Sequence, residues 1–209
     1  MPPTHASDRI THPAGDLRVE PYVLKRLFDV TVACFLLVLT AIPMAVIAAL
    51  IRITSAGPAL YWSDRIGRGN AIFKMPKFRT MICGAPDVAT HLLDRPESWV
   101  TPIGRFLRRL SLDELPQLFS VVMGQMSIVG PRPALFNQHD LIDLRTGKNI
   151  HRLLPGITGW AQVNGRDELP IPVKVAFEEQ YLREQSLRFD VRILAETIMR
   201  VFHGSGVSH

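Results

Sequence analysis

Hydrophobic and polar residues are unevenly spread along this chain. From Val30 to Ile51 roughly 22 residues pass without a charge, about the length a helix needs to cross the hydrocarbon core of a bilayer. Lys25 and Arg26 precede the run and Arg52, Arg65 and Arg68 follow it, so positive charge flanks both ends instead of marking one cytoplasmic side. Pro43 falls inside the run, where its missing N–H and its clash with the preceding turn predict a kink. A kinked helix can enter and leave a bilayer by the same face, a straight one crosses it, and the pattern also admits a buried core helix. A secretory signal peptide fits worst, because the run starts late and is too long for an ordinary h-region.

The rest of the chain has shorter periods. Met1 to Pro21 shows none and is expected to be a mobile arm. After the turn cluster Ser55-Ala56-Gly57-Pro58, the stretch Ala59 to Trp62 and then Ile66 to Phe73 around Gly67, Gly69 and Asn70 predict a short β-hairpin. A helix is expected from Thr101 as N-cap and Pro102 at its first position. Ile103, Phe106, Leu107 and Leu110 lie on one face of it, with Arg105, Arg108 and Arg109 largely on the other. Such a helix suits anionic lipid or an anionic substrate, and equally an ordinary surface position over a core. Phe119, Val122 and Met123 are expected to pack a following helix inward until Gly124 ends it. Ser127-Ile128-Val129 resembles a strand, and helices through Val173 to Tyr181 and Val191 to Phe202 are expected in the core.

With 209 residues the chain has room for one ordinary core besides the apolar run. Its net charge of +5 and pI near 9.6 suit an anionic partner, whether lipid headgroup, nucleic acid or phosphorylated substrate. Cys34 and Cys83 form neither a disulfide framework nor a zinc spacing, which places the bulk of the chain in a reducing compartment. The seven histidines are scattered, and none is assigned a catalytic role.

Candidate chemistry gathers around Ser111-Leu112-Asp113-Glu114-Leu115-Pro116-Gln117. Ser111 followed by Glu114 fits a capping box, so the acids have a purely structural explanation. Pro116 argues for a later start: with Ser111 as cap it would fall where a backbone N–H is needed, whereas with Asp113 as cap it sits in the tolerated first turn. Asp113 is therefore expected at a helix entrance. Arg132 lies between Pro131 and Pro133, which restrict the backbone that presents it, and a guanidinium held this way suits a phosphate oxyanion. Lys77 and Arg79 flank Phe78, a pattern that a solvated edge would also explain. Gln162, Asn164 and Arg166, in the turn-rich segment from Pro155, are candidates for lining a cleft.

In five ordered motifs between about Lys25 and Phe202 the chain resembles the bacterial sugar transferases, the monotopic phosphoglycosyl transferases. The motifs are KRLFD, SAGPALYWSDRIGRG, FKMPKFRTM, LRRLSLDELPQLFSVVMGQMSIVGPRP and LPGITGWAQVNGRD. The resemblance implies an α+β, mostly helical fold: a re-entrant helix-break-helix hairpin at 22–54, broken at Pro43, then a small catalytic domain at 55–209 with amphipathic interfacial helices and a short β-hairpin. The hydroxyl that often precedes the family's breaking proline is Ile42 here, with Thr40 nearest. The chain looks like the minimal catalytic form, at the cytoplasmic face of the bacterial inner membrane.

The implied reaction is magnesium-dependent transfer of a phosphosugar from a nucleoside diphosphate sugar, expected to be a UDP-sugar, to polyprenyl phosphate. UMP is released, as the first membrane step of glycoconjugate assembly. By the resemblance Asp113 is the nucleophile and Glu114 its partner, both candidate metal ligands, while Arg108, Arg132, Lys77, Arg79, Asn164 and Arg166 are candidate substrate-binding residues. Glu178 stands where the family commonly has an aspartate, keeping the charge.

The chemistry suits these residues. An anionic nucleophile reaches a phosphoanhydride only where cations neutralise its oxygens, and magnesium accepts one or two carboxylates plus phosphate oxygens. Expected partners are the sugar nucleotide, polyprenyl phosphate and membrane lipids, with no nucleic acid and with self-association left open. A non-enzymatic basic membrane adaptor would explain the apolar run and the charge, yet not the clustering of Asp113, Glu114 and Arg132.

Overall fold

The computed structural model describes residues 22–85, 96–165 and 169–203, so the expected arm at 1–21 lies outside the described residues. Tyr22–Thr54 forms one helix, α1, about 50 Å long at 1.5 Å per residue. Among the described residues it is the one helix long and apolar enough to cross a membrane. Instead of the expected helix, break and helix, the helical backbone continues through Pro43. One proline removes a single ladder bond, and the helix to either side is long enough to carry on past it. The Thr40 hydroxyl donates back to the Leu36 carbonyl at 2.7 Å, a bond that favours bending without ending a helix.

α1 lies along the rest of the molecule and is fastened at both ends. Near its start three charged residues of the KRLFD motif reach into the domain. Lys25 Nζ donates to Asp190 Oδ2 at 2.7 Å, the Arg26 guanidinium donates to the carbonyls of Val121 and Val122 at 2.6 and 2.8 Å, and Asp29 accepts from Ser127 Oγ at 2.8 Å and the Ile128 N–H at 3.1 Å. Asp29 and Asp190 are fully buried, so each needs these partners to remain inside. Near the far end Ile47 and Ile51 pack with Phe78 and Leu107. The outward face between, with Phe35, Val38, Leu39, Ile42 and Val46, is left bare.

The hairpin forms where expected, with shifted bounds. β1 (Leu60–Ile66) pairs antiparallel with β2 (Ile72–Phe78), and Trp62 lies opposite Pro76. The Gly67–Asn70 stretch is the turn and not strand, because Gly69 and Asn70 adopt positive φ. α2 (Pro96–Trp99) is followed by α3 (Pro102–Arg109), capped as expected: Thr101 Oγ1 accepts from the Gly104 N–H at 3.0 Å. Of its apolar face only Leu107 is buried and Ile103 half-buried, whereas Phe106 and Leu110 are exposed.

α4 (Gln117–Val122) corrects two expectations. It begins four residues after Asp113, with no side-chain cap, and the acids sit before it in a 3-10 turn, Leu112–Glu114. Ser111 is left-handed and caps nothing, so the capping box is not made. The inward residues of α4 are Leu118 and Val121, while Phe119, Val122 and Met123 face out. The two sets lie one position apart, and packing against the central core selects the face carrying Leu118 and Val121. Gly124, at φ 83°, ends the helix as expected.

β3 (Ser127–Val129) pairs parallel with β4 (Gly156–Thr158), with α5 (His139–Gly147) and a 3-10 turn at Ile150–Arg152 between them. α6 (Trp160–Val163), α7 (Ile171–Glu184) and α8 (Leu187–His203) complete the chain. Met75, Val121, Met126, Val129, Tyr181 and Ile193 form the central core between α1, the strands, α7 and α8. Ile193 is buried as expected, but Ile198 on the same helix is exposed. Glu178 lies inside, its Oε2 accepting from Arg145 Nε at 2.7 Å.

Candidate active site

Four chain segments converge on the Leu112–Glu114 turn. β2 brings Lys77 to it, because the strand runs on to Phe78 instead of ending at Phe73. Arg108 comes from the last turn of α3, and Thr80, just beyond β2, fixes its direction: Arg108 Nε donates to Thr80 Oγ1 at 2.9 Å. The Thr80 carbonyl in turn accepts from the Thr101 N–H at 3.0 Å. A side chain at Gly104 would put its first carbon 2.1 Å from that carbonyl, so only glycine lets α3 come this close.

Arg132 is placed by the junction of the two proline-glycine motifs. The Gly130 N–H donates to the Thr158 carbonyl at 2.9 Å and the Gly156 N–H to the Pro131 carbonyl at 2.8 Å. A side-chain carbon on Gly156 would lie 2.1 Å from Gly130 N. The hairpin is tied to the same segment, with Ile66 N–H donating to the Ala134 carbonyl at 2.9 Å.

The two acids have different surroundings. Glu114 Oε1 accepts from Lys77 Nζ at 2.8 Å and Arg132 Nη2 at 3.0 Å, and Oε2 lies 3.4 Å from Arg132 Nη1. Burial pushes this carboxyl up, but Arg132 and Lys77 outweigh it and hold Glu114 well below the ordinary carboxylate range. Asp113 is pushed up by burial and by the Glu114 charge, against the pull of Lys77, Arg108 and Arg132. Lys77, Arg108 and Arg132 act on Asp113 as neighbouring charges, whereas Lys77 and Arg132 hold Glu114 by hydrogen bonds. The turn therefore sets a carboxylate held by two hydrogen-bonded cations beside one that burial and its neighbour's charge push towards higher pKa, the kind of contrast found between reacting acids.

Arg79 and Asn164 make other contacts. Arg79 is buried, and its guanidinium donates to the Ala56 carbonyl at 2.6 Å and to the Ser55 carbonyl and hydroxyl at 2.9 and 2.7 Å, so it closes the end of α1. Asn164 Nδ2 donates to the Trp160 carbonyl at 2.7 Å, closing α6, and Gln162 Nε2 donates to the Ile157 carbonyl of β4 at 3.1 Å, both local bonds. Arg166 lies outside the described residues. Sequence reasoning missed Thr80, whose only signal was its place directly after the KFR motif.

As to magnesium, no group of three His, Cys, Asp or Glu side chains forms a cation cage among the described residues. Two adjacent carboxylates, one of them not pinned, match an ion that draws most of its ligands from water and substrate phosphates.

Residues 20–204 match the bacterial sugar transferase family. The chain belongs to that family. Among its relatives is an undecaprenyl-phosphate glucose phosphotransferase of Komagataeibacter xylinus, 40% identical over 84% of this chain and 35% of the relative. Another is an uncharacterised sugar transferase, EpsL, of Bacillus subtilis, 38% identical over 88% of this chain and 90% of the relative. A third is the exopolysaccharide production protein ExoY of Rhizobium meliloti, 36% identical over 92% of this chain and 91% of the relative. The sugar transferase region thus spans about a third of the first relative and nearly all of the other two.

Proposed function

We propose that this sugar transferase moves a phosphosugar from a UDP-sugar to polyprenyl phosphate at the cytoplasmic face of the inner membrane, as the first membrane step of a glycoconjugate. The observation that carries the reading is the Leu112–Glu114 turn, where Asp113 lies within the field of Lys77, Arg108 and Arg132 while Glu114 is hydrogen-bonded by Lys77 and Arg132. The acceptor and the membrane step are supported by relatives named for undecaprenyl phosphate.

In the first half of the cycle an Asp113 carboxylate oxygen attacks the sugar-bearing phosphorus. The bond to the bridging oxygen breaks, and UMP departs with that oxygen and its electron pair. Lys77, Arg108 and Arg132 spread the charge that builds on the phosphoryl oxygens, and Glu114 keeps Lys77 and Arg132 aimed at them. In the second half a phosphate oxygen of polyprenyl phosphate attacks the same phosphorus, and the aspartyl oxygen leaves as the regenerated carboxylate. Magnesium, when bound by Asp113 and Glu114, would supply charge neutralisation at the phosphates. Visiting in turn lets a water-borne donor and a lipid acceptor share one site.

The attachment of α1 supports a monotopic arrangement. A helix whose start and end both pack against one domain cannot leave that domain on one side and finish on the other. Its bare outward face then meets the hydrocarbon of a single leaflet, with Phe106, Leu110, Phe119 and Met123 as further apolar surface. A screen of UDP-sugars for UMP release, with polyprenyl phosphate in detergent, tests the reading. Release that depends on one sugar and is lost in Asp113→Asn supports it, and no release from any donor refutes it.

A further inference from the structure

An apolar cavity of about 280 Å³ opens beside the reacting turn. Its walls include Met44 and Ala48 of α1, Trp62 and Phe78 of the hairpin, and Pro116 and Phe119 at the start of α4. The mechanism above uses none of them. Trp62, Pro76 and Phe78 alternate onto one face of the hairpin, and Lys77 emerges on the other to meet Glu114. The chain from Asp113 to Pro116 passes round that strand from the charged side to the apolar one. Three residues span at most about 10 Å, so the groove begins within that reach of the carboxylate.

We infer that this groove holds the first isoprene units of the polyprenyl phosphate acceptor, with its phosphate turned round the strand towards Asp113. The inference rests on the reaction proposed above and gives its acceptor a location. The walls are wholly apolar or aromatic, which suits a hydrocarbon and leaves a sugar or nucleotide without partners. The volume is near the lower end for ligand pockets and takes a few branched units, leaving the remainder of the chain to continue along α1 into lipid. A phospholipid tail shares the chemistry, but only a chain whose phosphate must reach Asp113 is required to start at this end of the groove.

The test is photolabelling of the full chain in nanodiscs with a polyprenyl phosphate carrying a diazirine in its first isoprene units, followed by peptide mapping. Adducts on Trp62, Phe78 or Phe119, competed by unlabelled undecaprenyl phosphate and not by the same excess of phospholipid, are expected. Ala48→Phe, which fills the groove, should lower this labelling at least five-fold and raise the acceptor KM at least ten-fold relative to the donor KM. Trp62→Ala, which widens it, serves if the filled variant does not fold and should likewise weaken labelling at Phe78 and Phe119. Adducts confined to the outward face of α1, or displaced equally by phospholipid, overturn the inference. If wild-type protein labels in the groove yet releases no UMP from any donor, the proposed reaction fails while the groove stands.

Discussion

At the scale of single residues, the site depends on how two neighbouring acids are separated. Lys77 and Arg132 keep Glu114 ionised, so its folded-state pKa lies below the unfolded one, and the stability this contributes is present above the ordinary glutamate value near 4.5 and lost as pH falls below it. Glu114→Gln is expected to flatten that acid loss when unfolding is followed against pH in magnesium-free buffer, and an unchanged profile would mean that the contacts are not energetically coupled. Thr80 is a positioning residue acting through Arg108. Thr80→Val should lower kcat by about 10- to 100-fold with a smaller change in donor KM, and Thr80→Ser should restore most of it, the pattern for a lost hydrogen-bond acceptor and not a lost methyl group. Some of this was legible in the sequence. The acid pair, Lys77, Arg108 and Arg132 were all singled out, and the fold brings them together. Arg79 was singled out by the same motif as Lys77, but two residues further on the strand has ended and its guanidinium faces the end of α1. Spacing identifies a basic motif without saying which of its members turns inward.

At the scale of elements, the joint between α1 and the domain explains why charges precede the apolar run. Lys25 and Arg26 read in the sequence as flanks of a membrane segment; the structure uses them, together with Asp29, to fasten α1 to β3, α4 and α8. Their partners lie about a hundred residues or more away, and no local pattern shows that. Removing one member of a buried, paired set leaves the others unsatisfied, so Asp29→Ala should destabilise the fold by about 3 kcal/mol in detergent, measured by chemical unfolding. A loss below about 1 kcal/mol would show that water replaces the contact. The entry to α4 was misjudged for a comparable reason. A left-handed Ser111 and a 3-10 turn, neither encoded by periodicity, let the acids stand before the helix. The cap of α3, set by Thr101 and Pro102 alone, was legible because it is local.

At the scale of the whole molecule, length marks the apolar run as a membrane segment, and the packing of both ends of α1 supports the proposed monotopic arrangement. With both ends held to one domain, cysteines placed at Val23 and Thr54, in a background without Cys34 and Cys83, should react with an impermeant maleimide from the same side of inverted vesicles. Reaction from opposite sides would mean that α1 crosses the bilayer and that its packing along the domain is not retained there. The same geometry puts the charged turn, the apolar groove and the bare face of α1 on adjoining surfaces, as the proposed transfer from a water-borne donor to a lipid acceptor requires. In the proposed cycle Asp113 carries the sugar phosphate between them. Incubating the protein with whichever UDP-sugar supports UMP release and no acceptor, quenching in acid and mapping peptides by mass should find one phosphosugar on the peptide containing Asp113, discharged on adding polyprenyl phosphate and missing from Asp113→Asn. An adduct on another residue, or one equally abundant in Asp113→Asn, would contradict the account.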